Sequence, residues 1–435
     1  MKINKAYKFR LEPNAEQEVI LNNLVGCTRF IWNQLLALSF EMFHAKEHIN
    51  AVNLVNKIPL VKSNPDFAFL SNHSNAVSLQ QKARDLASAW TKFFNPKEHA
   101  RLQQNKRKPK ELKFFKLSDG TELQLHPLMP KFKRKNDYYD SLRLVQFHKY
   151  CRIEGNKVKL PNNIGLVKFI KSREIQGEIK NVTVSKLSGQ WYIAFCTEQE
   201  IVDSFIHPSK TSIGLDMGIK KLLATSQGLY IAPKNSFKKN QPKLAKLQRQ
   251  LCKKVKFSEN WKKQNRKLQK LYHHIANIRK DYLHKISTHI SKNHAMIVVE
   301  DLKVANMSKS ASGTLEQKGT NVKAKSGLNK AILDQGWSMM VEMLKYKQRW
   351  RGGLLIKVNP HYTSQTCNHC GHVAKENRHT QSKFECVECG YVTNADFNAA
   401  RNILAAGHAV LSVEGGCGKG HPKKQKTSEI REEVT

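Results

Sequence analysis

The sequence predicts an α/β protein that also contains a small β-barrel, a helical insertion and a four-cysteine insertion. Three observations support this fold class. Apolar runs of strand length alternate with helices in the second half of the chain, short alternating strands occupy residues 141–199, and two Cys-x-x-Cys pairs lie near the C-terminus. A chain of 435 residues is long enough for two or three domains with a sizeable core.

The first half of the chain combines strand and helix patterns. Residues 3–11 alternate between apolar and polar side chains with one exception, which is typical of a half-buried strand. Apolar residues then recur at three- and four-residue steps within residues 16–100, which predicts helices. Turn formers such as Gly155 and Asn156 separate the short strands of residues 141–199. We expect the N-terminal strand to complete their sheet or barrel, with the helical unit inserted between.

The second half of the chain reads as alternating strands and helices. In chain order, the sequence predicts a strand at Ser212–Asp216, its hairpin partner at Leu222–Ser226, one or two helices over Gln241–Ser291, a strand at Ala295–Val299, a helix over Ala331–Trp350, a strand at Leu354–Val358 and a short helix at Phe397–Ala406. The runs ending at Val299 and Val358 are almost continuously apolar, which suits strands buried on both faces of a parallel sheet.

The charge of the chain indicates a polyanionic partner. The sequence has 74 Lys and Arg residues against 35 Asp and Glu residues, a formal net charge of +39. Solubility of a small domain needs a net charge of only about 2–8 in magnitude. The much larger positive charge of this chain therefore favours nucleic acid as the partner. We expect no membrane partner, because apolar runs such as Met296–Val299 are far too short to cross a bilayer. The oligomeric state stays open.

The N-terminus and the cysteines predict a cytoplasmic protein. The first ten residues carry charges throughout and lack the apolar core of a signal peptide. Nine cysteines in such a chain are expected to be thiols or metal ligands.

Two cysteine pairs have the spacing of a zinc site. Cys367 and Cys370 form one Cys-x-x-Cys pair, and Cys386 and Cys389 form another after a short spacer. Four thiolates in this pattern can surround one Zn²⁺ tetrahedrally. Four unligated structural cysteines are the alternative, and the nearby histidines are expected to be exposed because the four-cysteine set is already complete. A closed tetrathiolate site is structural, so any chemistry must lie elsewhere.

Three acidic residues occupy positions where strands and helices are predicted to meet. Asp216 ends one predicted strand, Glu300 ends another, and Asp396 lies where the last helix is expected to begin. If the two strands are parallel neighbours, their carboxylates meet at one sheet edge. Such a cluster favours hard cations such as Mg²⁺ or Mn²⁺. Taken singly, the three residues could instead be a turn former, a solvated strand-end charge and a helix N-cap.

Several motifs together resemble the TnpB family of transposon-encoded proteins. The combination of a Tyr-Thr-Ser-Gln-Thr-Cys block with a later Asn-Ala-Asp motif is the most specific feature. The segments that carry the resemblance include Tyr7–Leu11, Gly26–Phe30, Gly214–Gly218, Val299–Leu302, Pro360–Cys367 and Asn394–Ile403.

The resemblance implies an RNase H-like RuvC nuclease domain with an inserted zinc ribbon, a wedge β-barrel and a helical recognition insertion. It implies an RNA-guided DNA endonuclease whose partners are a guide RNA from the transposon end and double-stranded target DNA beside a short adjacent motif. Asp216, Glu300 and Asp396 match the family's catalytic, Mg²⁺-binding positions.

The expected domain boundaries follow from these motifs. We expect residues 1–15 to form the first strand of the wedge barrel, 16–135 the helical recognition domain and a basic linker, 136–205 the remainder of the barrel, 206–360 the RuvC-like nuclease, 361–393 the zinc ribbon, 394–410 the last RuvC helix and 411–435 a disordered tail.

Three alternative functions share some of these features. A miniature type V CRISPR effector has the same core and would be distinguished by a neighbouring repeat array. An RNA-guided DNA-binding repressor would bind its target without cutting it, although the intact acidic residues argue against this. A strand-transfer transposase would join transposon ends without RNA, but the sequence has no tyrosine or serine nucleophile motif.

Overall fold

The computed structural model describes residues 2–97, 113–135, 139–200, 206–313 and 317–415. The chain divides into two compact units. The first unit comprises residues 1–203 and 247–273, and the second comprises residues 204–246 and 274–435. None of the described helices is both long enough and apolar enough to cross a membrane.

The first unit contains a seven-stranded antiparallel sheet and a set of helices. The strands are β1 (Lys2–Glu12), β4 (Tyr139–Val145), β5 (Arg152–Glu154), β6 (Lys157–Leu160), β7 (Gly165–Phe169), β8 (Glu178–Leu187) and β9 (Gln190–Glu200), with a separate hairpin of β2 (Lys113–Lys116) and β3 (Glu122–Leu125). The helices are α1 (Ala15–His44), α2 (Ala51–Asn56), α3 (Ile58–Lys62), α4 (Phe69–His73), α5 (Ala76–Phe94) and α6 (Phe147–Tyr150).

The N-terminal strand joins the sheet as predicted. The strand order is β4-β8-β9-β1-β7-β6-β5, and β1 pairs with β9 from Lys2 opposite Glu200 to Leu11 opposite Trp191. No pairing between β4 and β5 closes this sheet among the described residues, so the expected barrel is found as an open order of strands. Phe9 is 3% exposed and packs in the sheet's core, where strand aromatics are most often found.

The helical layer of the first unit has its own core. Helix α1 begins at a capping box in which Asn14 accepts a hydrogen bond from the Gln17 backbone and Gln17 bonds back to Asn14. Trp90 of α5 is fully buried in this core, and its indole N–H donates to Ser39 of α1 at 2.9 Å. The predicted helical insertion is therefore a packed unit joined to the sheet.

The second unit is built around a five-stranded mixed sheet. Its strands are β10 (Ser212–Met217), β11 (Leu223–Thr225), β12 (Tyr230–Ile231), β13 (Met296–Glu300) and β14 (Leu354–Val358), and a small hairpin pairs β15 (Lys383–Glu385) with β16 (Val392–Asn394). The helices are α7 (Ser236–Cys252), α8 (Glu259–Asn293), α9 (Val304–Met307), α10 (Val322–Gln335), α11 (Trp337–Trp350) and α12 (Ala395–Gly415). Part of α7 and α8, residues 247–273, belongs to the first unit.

The sheet order is β12-β11-β10-β13-β14, with β10, β13 and β14 parallel to one another. The strand β13 is buried on both faces, as its apolar run predicted. Ile297 and Val299 pack with helices α8, α10 and α11, whereas Met296 and Val298 pack with α12 on the other side. The predicted parallel sheet is therefore present.

Two helix predictions were wrong in their bounds. The helix predicted over residues 331–350 is two helices, α10 and α11, because Gly336 between them has a left-handed backbone with φ of 73°. The helix predicted to end at residue 406, before a tail from 411, continues to Gly415. The remainder of the expected disordered tail, residues 416–435, and residues 98–112 of the expected helical domain and basic linker lie outside the described residues.

Candidate active site and metal centre

Two of the predicted acidic residues lie side by side on neighbouring parallel strands. In the pairing of β10 with β13, Leu215 lies opposite Val299. The next residue of each strand is an acid, Asp216 and Glu300. This register is consistent with the prediction that the two carboxylates lie at one edge of the sheet.

The third acidic residue reaches this edge because glycines allow helix α12 to pack closely on the sheet. A Cβ atom at Gly214 of β10 would lie 2.2 Å from the Ala400 carbonyl oxygen, and one at Gly407 would lie 2.4 Å from Val298 Cγ2. Any larger side chain at Gly214 would push the helix away. Since Asp396 lies in the first turn of α12, this close packing brings its carboxylate towards Asp216.

The charges of Glu300 and Asp396 both act on Asp216. Burial, which has the largest effect, and the nearby charges of Glu300 and Asp396 together raise the pKa of Asp216 to about 7. Burial also raises the pKa of Glu300, against a hydrogen bond from Thr363 that lowers it. A buried carboxylate cluster without positive charge is costly, so the site is suited to cations.

Three further side chains hold or face these carboxylates. The Thr363 hydroxyl donates to Glu300 Oε1 at 2.6 Å. The Tyr230 hydroxyl lies 2.7 Å from Asn394 Oδ1 and 3.4 Å from Asp396 Oδ2, and Arg378 Nη2 lies 4.0 Å from Asp396 Oδ1. Sequence reasoning missed all three roles, although Thr363 lies inside a motif that it singled out.

The four predicted zinc ligands converge on one point. The Sγ atoms of Cys367, Cys370, Cys386 and Cys389 all lie within 4.8 Å of one another. Among the described residues this is the one set of three or more Cys, His, Asp or Glu side chains that meets so closely, so the acidic residues are more widely spaced. The four thiolates suit a tetrahedral Zn²⁺ site, with no position left open for a substrate.

Each cysteine pair is built as a tight turn. The backbone N–H groups of Gly371 and Gly390 donate to the carbonyls of Cys367 and Cys386, both at 2.9 Å. Both glycines have a left-handed backbone, with φ of 81° and 69°. The pairs therefore form two equivalent knuckles.

The chain is similar over its whole length to a curated bacterial protein. It is 46% identical over 431 residues to a protein named putative RNA-guided DNA endonuclease InsQ, from Escherichia coli K12, and the match covers 99% of each chain. The chain belongs to the TnpB family. A second member, named a putative RNA-guided DNA endonuclease from Streptomyces pristinaespiralis, is 28% identical across 99% of this chain and 96% of the relative.

Models of three protein families match parts of this TnpB chain. "Probable transposase" matches residues 195–311, "Cas12f1-like, TNB domain" matches residues 337–403, and "Helix-turn-helix domain" matches residues 1–48. The last description does not fit the fold, since the described residues of that segment form strand β1 and the single 30-residue helix α1.

Solved structures of RNA-guided effectors also align with this TnpB chain. A Cas12f1–sgRNA–target DNA complex aligns over 92% of this chain and 99% of that chain, at 20% identity and a TM-score of 0.31. The mini RNA-guided endonuclease CRISPR-Cas_phi3 aligns over 93% of this chain and 92% of that chain, at 11% identity and a TM-score of 0.44.

Proposed function

We propose that this protein is an RNA-guided DNA endonuclease that hydrolyses phosphodiester bonds of target DNA with divalent cations held by Asp216, Glu300 and Asp396. The observation that carries the proposal is the position of these acids: Asp216 and Glu300 end adjacent parallel strands, Asp396 lies in the first turn of α12, and the pKa of Asp216 is raised to about 7. Family membership supports the reaction, since the relatives that match over the whole chain are named RNA-guided DNA endonucleases.

The sheet topology supports an RNase H-like RuvC nuclease domain. Counted along the chain, the five strands lie in the order 3-2-1-4-5, with the first three antiparallel and the last two parallel to the first. The domain boundaries given above, from the wedge barrel at residue 1 to the last RuvC helix, are part of the proposal.

The chemistry would be divided between the carboxylates and the cations. Asp216, Glu300 and Asp396 would hold divalent cations such as Mg²⁺ or Mn²⁺, whose chemistry in such a site is to activate a water and to stabilise the leaving 3′-oxygen. The chain's own part would be to place Asp216 and Glu300 at adjacent strand ends and Asp396 in the first turn of α12, where the Tyr230 hydroxyl faces it. Zn²⁺ in the four-cysteine site would be structural.

A basic cleft in the first unit supports nucleic acid as the partner. It has a volume of about 840 Å³ and is lined by α1, α4, the turn between β8 and β9, and part of α8. Its lining includes five cationic side chains against the single acidic residue Glu18: Arg29, Lys135, Lys186, Arg266 and Lys270. We propose that this cleft binds the phosphate backbone of the guide RNA or of its duplex with the target strand.

Replacement of Asp216 tests the reaction. Sequencing of RNA that copurifies with the protein would first define the guide. A plasmid carrying the matching target, incubated with the complex and Mg²⁺, should be cleaved by the wild type, whereas Asp216→Ala should lose cleavage by at least about 10³-fold and still bind RNA.

Asp301→Ala is the matched control. Asp301 follows Glu300 directly but pairs with Lys303 and, at 3.8 Å, with Lys357. The Asp301→Ala variant should therefore cleave the target at a near wild-type rate. Target binding without cleavage by the wild type would instead favour the repressor.

A further inference from the structure

We propose that Thr363 is a positioning residue for Glu300, and that helix α12 fixes both Thr363 and Asp396. The proposal rests on the proposed function of the acidic residues. In this proposal, the segment that precedes the four-cysteine site helps to set the distance between the proposed metal ligands Glu300 and Asp396.

Thr363 binds one oxygen of Glu300 at close range. Its side-chain hydroxyl lies 2.6 Å from Glu300 Oε1 and 3.2 Å from the Pro360 carbonyl oxygen. A hydroxyl has one proton to donate, and both the shorter distance and the charge of a carboxylate favour Glu300 as the acceptor. Thr363 is only 9% exposed, so water competes poorly for this bond. The bond limits the rotation of the carboxylate and leaves Oε2 for a cation.

Two asparagines of α12 hold the segment that carries Thr363. The Asn402 amide donates to the carbonyls of Thr363, at 2.9 Å, and Thr366, at 2.7 Å. Asn398, one helical turn earlier and fully buried, also donates to the Thr366 carbonyl at 2.7 Å. Its Oδ1 accepts from the backbone N–H of Asn368, between the two cysteines of the first knuckle, at 3.0 Å.

The backbone next to Thr363 has an unusual conformation that these bonds maintain. Tyr362 has φ of 62°, in the left-handed region that residues other than glycine seldom adopt. Its carbonyl accepts from the backbone N–H groups of Gln365 and Thr366, both at 2.9 Å. Such conformations persist where the surroundings fix them and are concentrated at functional sites. This turn is therefore part of the arrangement that brings the Thr363 hydroxyl to Glu300.

One helix thus sets the geometry of both acids. Asp396 lies in the first turn of α12, while Asn398 and Asn402 follow on the same helix and fix the partner of Glu300. Polar groups that orient metal ligands typically change metal affinity or activity by about 10–100-fold when they are removed. Loss of the Thr363 hydroxyl should therefore change the cation requirement, with little effect on RNA binding.

The test compares Thr363→Val, which keeps the shape and removes the hydroxyl, with Thr363→Ser, which keeps the hydroxyl. Target cleavage by the protein–RNA complex is measured as a function of Mg²⁺ concentration. We expect Thr363→Val to raise the half-saturating Mg²⁺ concentration about tenfold or more, with unchanged zinc content and RNA affinity, and Thr363→Ser to stay within about threefold of wild type. Asn402→Ala, which touches no carboxylate, should shift it in the same direction by less, and it provides the test if Thr363→Val does not fold.

A second measurement separates this proposal from the proposed function. Mn²⁺ binding to each complex is measured by electron paramagnetic resonance, relative to Asp216→Ala, so that ions bound to the RNA cancel. Weaker Mn²⁺ binding by Thr363→Val than by the wild type supports the positioning role, whether or not DNA is cut. Absence of DNA cleavage by the wild type would count against the proposed nuclease function and not against the positioning role. Wild-type Mg²⁺ and Mn²⁺ dependence in Thr363→Val, or equal impairment in Thr363→Ser, overturns the proposal.

Discussion

Lys347 is a buried cation whose ammonium group contacts no carboxylate within the part of the chain that the structure describes. It is 6% exposed, and its Nζ donates to the His284 carbonyl at 2.8 Å, Ser287 Oγ at 2.6 Å and Thr288 Oγ1 at 2.7 Å. Burial, which has the larger effect, and the neighbouring charge of Arg351 together lower the pKa of Lys347 to about 8. Three hydroxyl and carbonyl oxygens therefore replace water around this amine without restoring its ordinary basicity.

The shifted pKa of Lys347 predicts a pH dependence of stability. The unfolded chain binds the proton up to about pH 10.4, whereas the folded chain releases it near pH 8. Between these values the unfolded state holds more protons, so this residue makes the free energy of unfolding rise with pH and penalises the folded state below pH 8. Lys347→Met should remove that rise and leave stability at pH 7 unchanged or higher.

Urea unfolding at pH 7, 8 and 9 measures this effect. Lys345→Met is a suitable control, because Lys345 lies on the same helix and is exposed, so its replacement should leave the pH dependence intact. A stability loss above about 2 kcal/mol for Lys347→Met at pH 7 would show instead that the amine's three hydrogen bonds outweigh its burial.

At the scale of elements, one buried carboxylate joins two helices. Asp334, near the end of α10, accepts hydrogen bonds from the backbone N–H groups of Phe237, at 3.0 Å, and Lys238, at 3.3 Å, in the first turn of α7. Arg279 of α8 lies 3.6 Å from the same carboxylate. Helix α7 has no acidic residue in its first turn, so Asp334 supplies the negative charge that a helix N-terminus favours.

Asp334→Ala should therefore destabilise the protein by about 2–4 kcal/mol, since it leaves two partly buried N–H groups without their acceptor and Arg279 without its charged partner. Asp281→Ala is the matched control. Asp281 pairs with Lys285 at 2.8 Å on an exposed face of α8, where such pairs contribute less than about 1 kcal/mol. Urea unfolding compares the two, and equal effects would contradict a capping role for Asp334.

The elements also show what the sequence could and could not predict. Strand β13 and its parallel pairing with β10, which places Asp216 and Glu300 at adjacent strand ends, followed from local apolar patterns. The split of α10 from α11 depends on Gly336, whose added Cβ would lie 3.0 Å from Leu283 Cδ1 on another helix. The contacts of Tyr230 and Thr363 with the acids join residues 63 or more positions apart. Such contacts are set by tertiary packing, which no local pattern contains.

At the scale of the whole molecule, the net charge of +39 and the basic cleft make different predictions. If RNA is bound by the diffuse positive charge of the whole surface, removing any two cations should weaken RNA binding equally. If RNA is bound in the cleft, removing cations that line the cleft should weaken binding more than removing cations elsewhere. Each phosphate contact releases condensed counterions and adds about 0.7–0.9 to the slope of log affinity against log salt concentration.

Replacing matched pairs of cations separates the two. Arg266→Gln with Lys270→Gln removes two exposed charges that line the cleft, and Lys113→Gln with Lys116→Gln removes two exposed charges from strand β2, outside its lining. Both double variants have the same net charge. We expect the cleft variant alone to bind the copurified RNA more weakly, with a slope of log Kd against log salt reduced by about 1.4. Equal slopes would place RNA binding in the overall charge of the molecule, since a cleft that holds phosphates must lose counterion release when its cations are removed.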